Sequence, residues 1–109
     1  LAANANYIYA GVSSYCVYSS TNNGTTWIGT SFGVNRSVWS LAVNGNYILA
    51  GSYSLKENLT IWDIRKHSRV QTIDWFDHDF EKDVDNLACL VYGASFSKTS
   101  NDFCIAGGT

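Results

Sequence analysis

A repeat constrains this chain more than anything else in it. Leu1-Ala2-Ala3-Asn4-Ala5-Asn6-Tyr7-Ile8-Tyr9-Ala10-Gly11 returns as Leu41-Ala42-Val43-Asn44-Gly45-Asn46-Tyr47-Ile48-Leu49-Ala50-Gly51, an offset of 40 residues. Leu, Ala, Asn, Asn, Tyr, Ile, Ala and Gly stand at matching places. A period of this length marks architectures that lay one supersecondary unit against the next, because a single unit cannot bury its apolar face alone. A looser third copy, Asp102-Phe103-Cys104-Ile105-Ala106-Gly107, keeps the order aromatic, apolar, apolar, Ala, Gly.

Each unit reads as strands joined by tight turns. The chain is 46% hydrophobic and 15% aromatic with only 15% charged residues, and its Val, Ile, Thr and aromatic side chains suit a pleated, half-buried surface. Residues 38–43, Asn44-Gly45 and residues 47–53 read as a hairpin, since Asn-Gly takes the positive φ angles of a two-residue turn. Residues 15–19 and 26–30 flank Thr21-Asn22-Asn23-Gly24, while 59–64 and 70–75 flank the polar stretch 65–69. Residues 1–3 and 7–12 precede these strands, and 87–94 and 103–107 follow them. Helical periodicity is missing almost everywhere, although 77–85 is charged enough for a loop with one helical turn. The expected fold is all-β: antiparallel four-stranded meanders laid face to face.

Two families supply resemblances. Ser20-Thr21-Asn22-Asn23-Gly24-Thr25-Thr26-Trp27 resembles the Asp-box of sialidase-like propellers, Ser-x-Asp-x-Gly-x-x-Trp, with Asn22 where Asp is usual. The resemblance implies that Ser20 and Asn22 belong to a structural turn, Asn22 capping its backbone, with Gly24 at positive φ and Trp27 packed beneath the hairpin. In that family the box is mainly a folding device, remote from any active site. From about Asn58 the chain resembles a WD40 repeat. Leu59-Thr60-Ile61-Trp62-Asp63 looks like the end of its third strand with the Trp-Asp dipeptide, and Val70-Gln71-Thr72-Ile73 looks like the fourth. His78 falls near that family's Gly-His histidine, with Asp77 in place of the Gly, and Thr109 takes the place of a strand hydroxyl. The aspartate that would complete the family's hydrogen-bonded tetrad would lie beyond residue 109.

Together the resemblances imply a β-propeller of about two and a half blades. Residues 1–54 make an Asp-box-like blade and the first strands of the next, and residues 55–109 make WD40-like strands that complete it and start a third. The change of type near 53–58 suggests an engineered or recombined chimera of two propeller fragments. A natural propeller with divergent blades explains the residues as well.

The sequence offers little chemistry. It contains no nucleophile elbow, phosphate-binding glycine loop or metalloprotease motif, and Arg36, Arg65 and Arg69 do not form the arginine cluster of a sialidase. No enzymatic activity is expected. Asp74, Asp77, Asp79, Glu81, Asp83 and Asp85, with His78 among them, alternate oxygen donors as calcium loops do, yet lack the turn Gly and the terminal Glu of such loops. A solvated loop, with no cofactor and no metal, is the expectation. Cys16, Cys89 and Cys104 include no closely spaced pair for zinc. They read as buried thiols, with a Cys89 to Cys104 disulfide open if neighbouring strands bring them together. A net charge of -2 and a pI near 5.4 give no basic footprint for nucleic acid. No apolar run approaches the roughly 20 residues of a membrane span. The start Leu1-Ala2-Ala3-Asn4 reads as a cut end without signal-peptide character. Asn23, Asn35 and Asn58 each head an Asn-x-Ser/Thr triplet, which matters only in a secretory setting.

Binding is what remains. A stack of two and a half units exposes apolar sheet at both ends, and the edge of the final two-stranded unit invites strand addition. The expected role is a non-catalytic binding or scaffolding module that self-associates as a homo-oligomer to complete its blade or ring, with a protein or glycan ligand. The alternative is a secreted carbohydrate-binding or adhesion module that uses exposed aromatics such as Tyr15 or Trp75.

Overall fold

The two copies of the repeat occupy the same place in two sheets. In the computed structural model, which describes residues 1–12, 16–30, 37–54, 57–73, 89–91, 93–97 and 103–107, β1 (Ala2–Ala3), β2 (Ile8–Gly11), β3 (Val17–Ser20) and β4 (Ile28–Thr30) form an antiparallel sheet in chain order. The strands β5 (Val38–Asn44), β6 (Tyr47–Ser54), β7 (Leu59–Asp63) and β8 (Ser68–Ile73) form a second in the same order. Register repeats along with sequence. Ala2 opposes Tyr9 and Ala3 opposes Ile8 in the first sheet, as Ala42 opposes Leu49 and Val43 opposes Ile48 in the second. No helix and no closed sheet occurs among the described residues.

The third unit differs from its expectation. Residues 87–94 do not make one strand: β9 (Cys89–Leu90) pairs with the far end of β6, and β10 (Gly93–Phe96) forms a separate hairpin with β11 (Phe103–Ala106). The break lies at Val91, which is fully buried and leaves the strand to fill the core instead. Cys104 sits opposite Ser95 in β10, while Cys89 sits opposite Ser54 in β6. The pairing therefore does not make them neighbours, as the disulfide required. Cys16 is a free, half-buried thiol.

Alternation along β6 makes the second sheet a middle layer. Ile48 and Ala50 face the first sheet and join Tyr9, Val17 and Val38 in one buried cluster, with Tyr7, Leu41, Val43, Trp62 and Ile64 around it. Leu49 faces the opposite way and joins Leu59, Ile61 and Val91 in another, flanked by Ala42, Ile73, Ala94 and Phe96. A strand apolar on both faces reads as a continuous apolar run, and Tyr47-Ile48-Leu49-Ala50 is one. Each fully buried aliphatic side chain stabilises the stack by about 1.5–3 kcal/mol relative to exposure.

Glycine sets how closely the layers approach. A Cβ on Gly11 would stand 2.8 Å from Val38 Cγ1, and one on Gly51 would stand 2.9 Å from Val91 Cγ1 and collide with Ser40 Oγ. These glycines are equivalent residues of the repeat, and each meets a valine of the following unit. The repeat thus encodes the seam between sheets as well as the strands within them.

One inserted residue lets β5 serve both seams. Val38 opposes Ser52 and Ser40 opposes Gly51, so the register shifts by one between them. Without that bulge Val38 and Ser40 would share a face. With it, Val38 packs on Gly11, and Ser40 Oγ donates to the Val91 carbonyl at 3.1 Å. Trp39, the extra residue, is left 57% exposed.

The hairpin expected at Asn44-Gly45 turns one residue later. Asn44 still pairs with Tyr47, so Gly45 and Asn46 form the turn. Gly45 has φ 55 and Asn46 has no positive φ, the pattern that puts glycine first in a type II′ turn.

Candidate functional site

The turns between the third and fourth strands of the two sheets hold the motif residues. Ser20 opposes Ile8 as Trp62 opposes Ile48, so the Asp-box-like segment begins at the position where the Trp-Asp pair lies. Equivalent places in the repeat carry different chemistry.

In the first turn Ser20, Asn22, Gly24 and Trp27 form one hydrogen-bonded unit. Ser20 Oγ accepts from Gly24 N at 2.9 Å and from Asn22 N at 3.4 Å, and donates to Asn22 Oδ1 at 3.0 Å. The Asn22 carboxamide then works in both directions: Oδ1 accepts from Thr26 N at 2.9 Å while Nδ2 donates to Thr26 Oγ1 at 2.8 Å. An ionised aspartate in its place would have only acceptors. Asn23 and Gly24 take φ 56 and 83, and Trp27 Nε1 donates to the Gly24 carbonyl at 3.0 Å. The indole lies along Gly24, 3.5 Å from where a Cβ would be, and stays 39% exposed.

A buried carboxylate closes the second turn. Asp63 is 2% exposed; its Oδ1 accepts from Arg65 N at 2.9 Å and Lys66 N at 3.3 Å. Its Oδ2 meets the Arg65 guanidinium at 3.5 Å. Burial pushes this carboxyl upward, but the backbone N–H groups of Lys66 and Arg65 and the Arg65 guanidinium outweigh it, so its pKa falls below the ordinary carboxylate value. Trp62 points the other way and packs on the cluster between the first two sheets. Arg69 pairs with Glu57 at 3.5 Å, both partly exposed, a contact of the kind worth about 0–1 kcal/mol.

These turns direct their polar atoms at their own backbone. Among the described residues no three His, Cys, Asp or Glu side chains converge on a metal site. Ser20, Asn22, Gly24 and Trp27 come together in one turn, and Trp62 and Asp63 end the same strand in another. His78, the acidic run from Asp74 to Asp85, Tyr15, Asn35, Arg36, Trp75 and Thr109 lie outside the described residues.

The largest difference between the sheets is on their surfaces. Strand parity puts Ala3, Ile8, Ala10, Tyr18 and Gly29 on the outward face of the first sheet, where the Tyr18 ring lies over Gly29, 3.0 Å from where a Cβ would be. Ile8 and Ala10 are half-buried there, whereas their equivalents Ile48 and Ala50 are 1% and 4% exposed. Leu1, the equivalent of half-buried Leu41, is 88% exposed. The repeat contains Ala3, Ile8 and Ala10, but that they share one face, and that it is the uncovered one, shows only once the register is assigned. No protein-family model and no curated protein matches the chain.

Proposed function

We propose that this chain is a non-catalytic binding and scaffolding module, about two and a half blades of a β-propeller, that completes itself by association with further copies. The unequal fate of equal residues carries the reading. Ile8 and Ala10 repeat Ile48 and Ala50 in sequence and register, yet only the second pair is fully covered. A surface that the same residues bury once in this chain is suited to be buried again, and stacked repeats gain their stability from such contacts. The Asp-box-like and Trp-Asp turns support the propeller reading, because each closes the last hairpin of a four-stranded meander.

Sedimentation velocity over a concentration series tests it. Self-association is expected, and Ile8→Lys, on the outward face, is expected to shift the chain toward monomer while it keeps a cooperative thermal transition. A cooperatively folded monomer of the unsubstituted chain at every concentration would overturn the reading. Trp39 and Tyr53, 57% and 42% exposed, favour a second reading as a secreted carbohydrate-binding or adhesion module, since exposed aromatics offer flat amphipathic surface to a sugar. Glycan-array binding that Trp39→Ala abolishes would select it.

A further inference from the structure

The Asn-x-Ser/Thr triplets at Asn23 and Asn58 have opposite surroundings. Asn58 is 0% exposed, and Thr60, which completes its triplet, is 3% exposed within β7. The Asn58 carbonyl accepts from Ser52 N at 2.8 Å and from Ser52 Oγ at 3.3 Å, which fixes the backbone where a sugar would have to emerge. A glycan joined to Asn58 has no route to water in this fold.

Asn23 is exposed at the tip of the first turn, with φ 56. That turn is held without it. Ser20, Asn22, Thr25, Thr26 and Trp27 supply the side-chain hydrogen bonds, and the Asn23 carboxamide makes none to a described residue. Gly24 follows with no Cβ to crowd the acceptor. Thr25 places the required hydroxyl in an exposed position, where it donates to the Asn22 carbonyl at 2.9 Å.

We propose that Asn23 is an acceptor for an N-linked glycan and that Asn58 is not, a modification that stands apart from the binding role above. In the transfer, the Asn23 carboxamide nitrogen bonds to C1 of a lipid-pyrophosphate-linked oligosaccharide. The bond from C1 to the phosphate oxygen breaks, lipid pyrophosphate leaves with the electron pair, and the amide proton passes to a base of the oligosaccharyltransferase. The product adds bulky, solvated mass to a hairpin tip and touches neither core.

The test expresses the chain behind a cleavable signal peptide in a eukaryotic secretory host, in an Asn35→Gln background. Peptide mass spectrometry then reads both acceptors in protease-resistant and protease-sensitive material. Asn23 is expected to be occupied and Asn58 bare in the resistant pool. Asn23→Asp, which keeps a residue tolerant of left-handed backbone, is expected to abolish the modification there and leave the melting temperature unchanged. Asn23 bare in both pools, or Asn58 occupied in the resistant pool, would overturn the proposal.

Discussion

The first and second sheets share strand order, register and the residues of their opening hairpins, but they close their last hairpins differently. The first uses a neutral side-chain network, with buried Ser20 accepting from Gly24 and exposed Asn22 accepting from Thr26. The second uses one buried carboxylate that accepts from Arg65 and Lys66. Both solutions meet one demand, that the N–H groups of a tight turn find acceptors. Turn chemistry is therefore exchangeable at this place in the repeat, whereas the glycine that seats the next sheet is not.

The largest test of this contrast lies in the cores. Ile48→Ala is expected to cost about 2–5 kcal/mol by leaving a cavity between sheets. Ile8→Ala, at the equivalent half-buried position, is expected to cost the unassociated chain less than about 1 kcal/mol. Urea midpoints of the two variants decide it, and equal losses would break the distinction between covered and uncovered sheets.

Next comes the seam, where Gly51→Ala forces a methyl against Val91 and Ser40 and is expected to cost about 1–3 kcal/mol. Scanning calorimetry should show its transition lowered as a whole. At the first turn, Ser20→Ala leaves two backbone N–H groups without their acceptor, an expected loss of about 1–2 kcal/mol. Hydrogen exchange should localise that loss to residues 22–26.

The smallest effect separates the two turns by pH. The folded-state pKa of Asp63 is depressed, so the turn's contribution is present above the unfolded value of about 3.9 and is lost as pH falls through the folded value. Asp63→Asn is expected to remove that part of the acid sensitivity, while Asn22→Ala leaves it intact. Thermal melts between neutral and acidic pH report both.

Much of the fold was legible because it is local or repeated. The hairpin strands follow from the repeat and from runs of β-branched and aromatic residues between polar turns, and the turn at 20–27 contacts itself at short sequence separations. The split of residues 87–94 was not legible, because an apolar run does not show which of its members pair and which fill a core. The bulge was hidden for a related reason. Val38-Trp39-Ser40 suits a strand throughout, and only the presence of a neighbour on each side reveals why one residue is left over. The carboxylate of Asp63 was recognisable as part of a motif, but its burial depends on β6 and β8 lying on either side of β7.

That leftover residue sets a rule for how this molecule tolerates change. The fold asks little of the identity of residue 39, whose side chain is more than half exposed. Its presence is required. Deleting it would rotate everything on one side of β5 by half a step, pull Val38 away from Gly11 or Ser40 away from Val91, and unfasten one joint or the other. The chain can absorb almost any spelling at this position but no change in the number of letters.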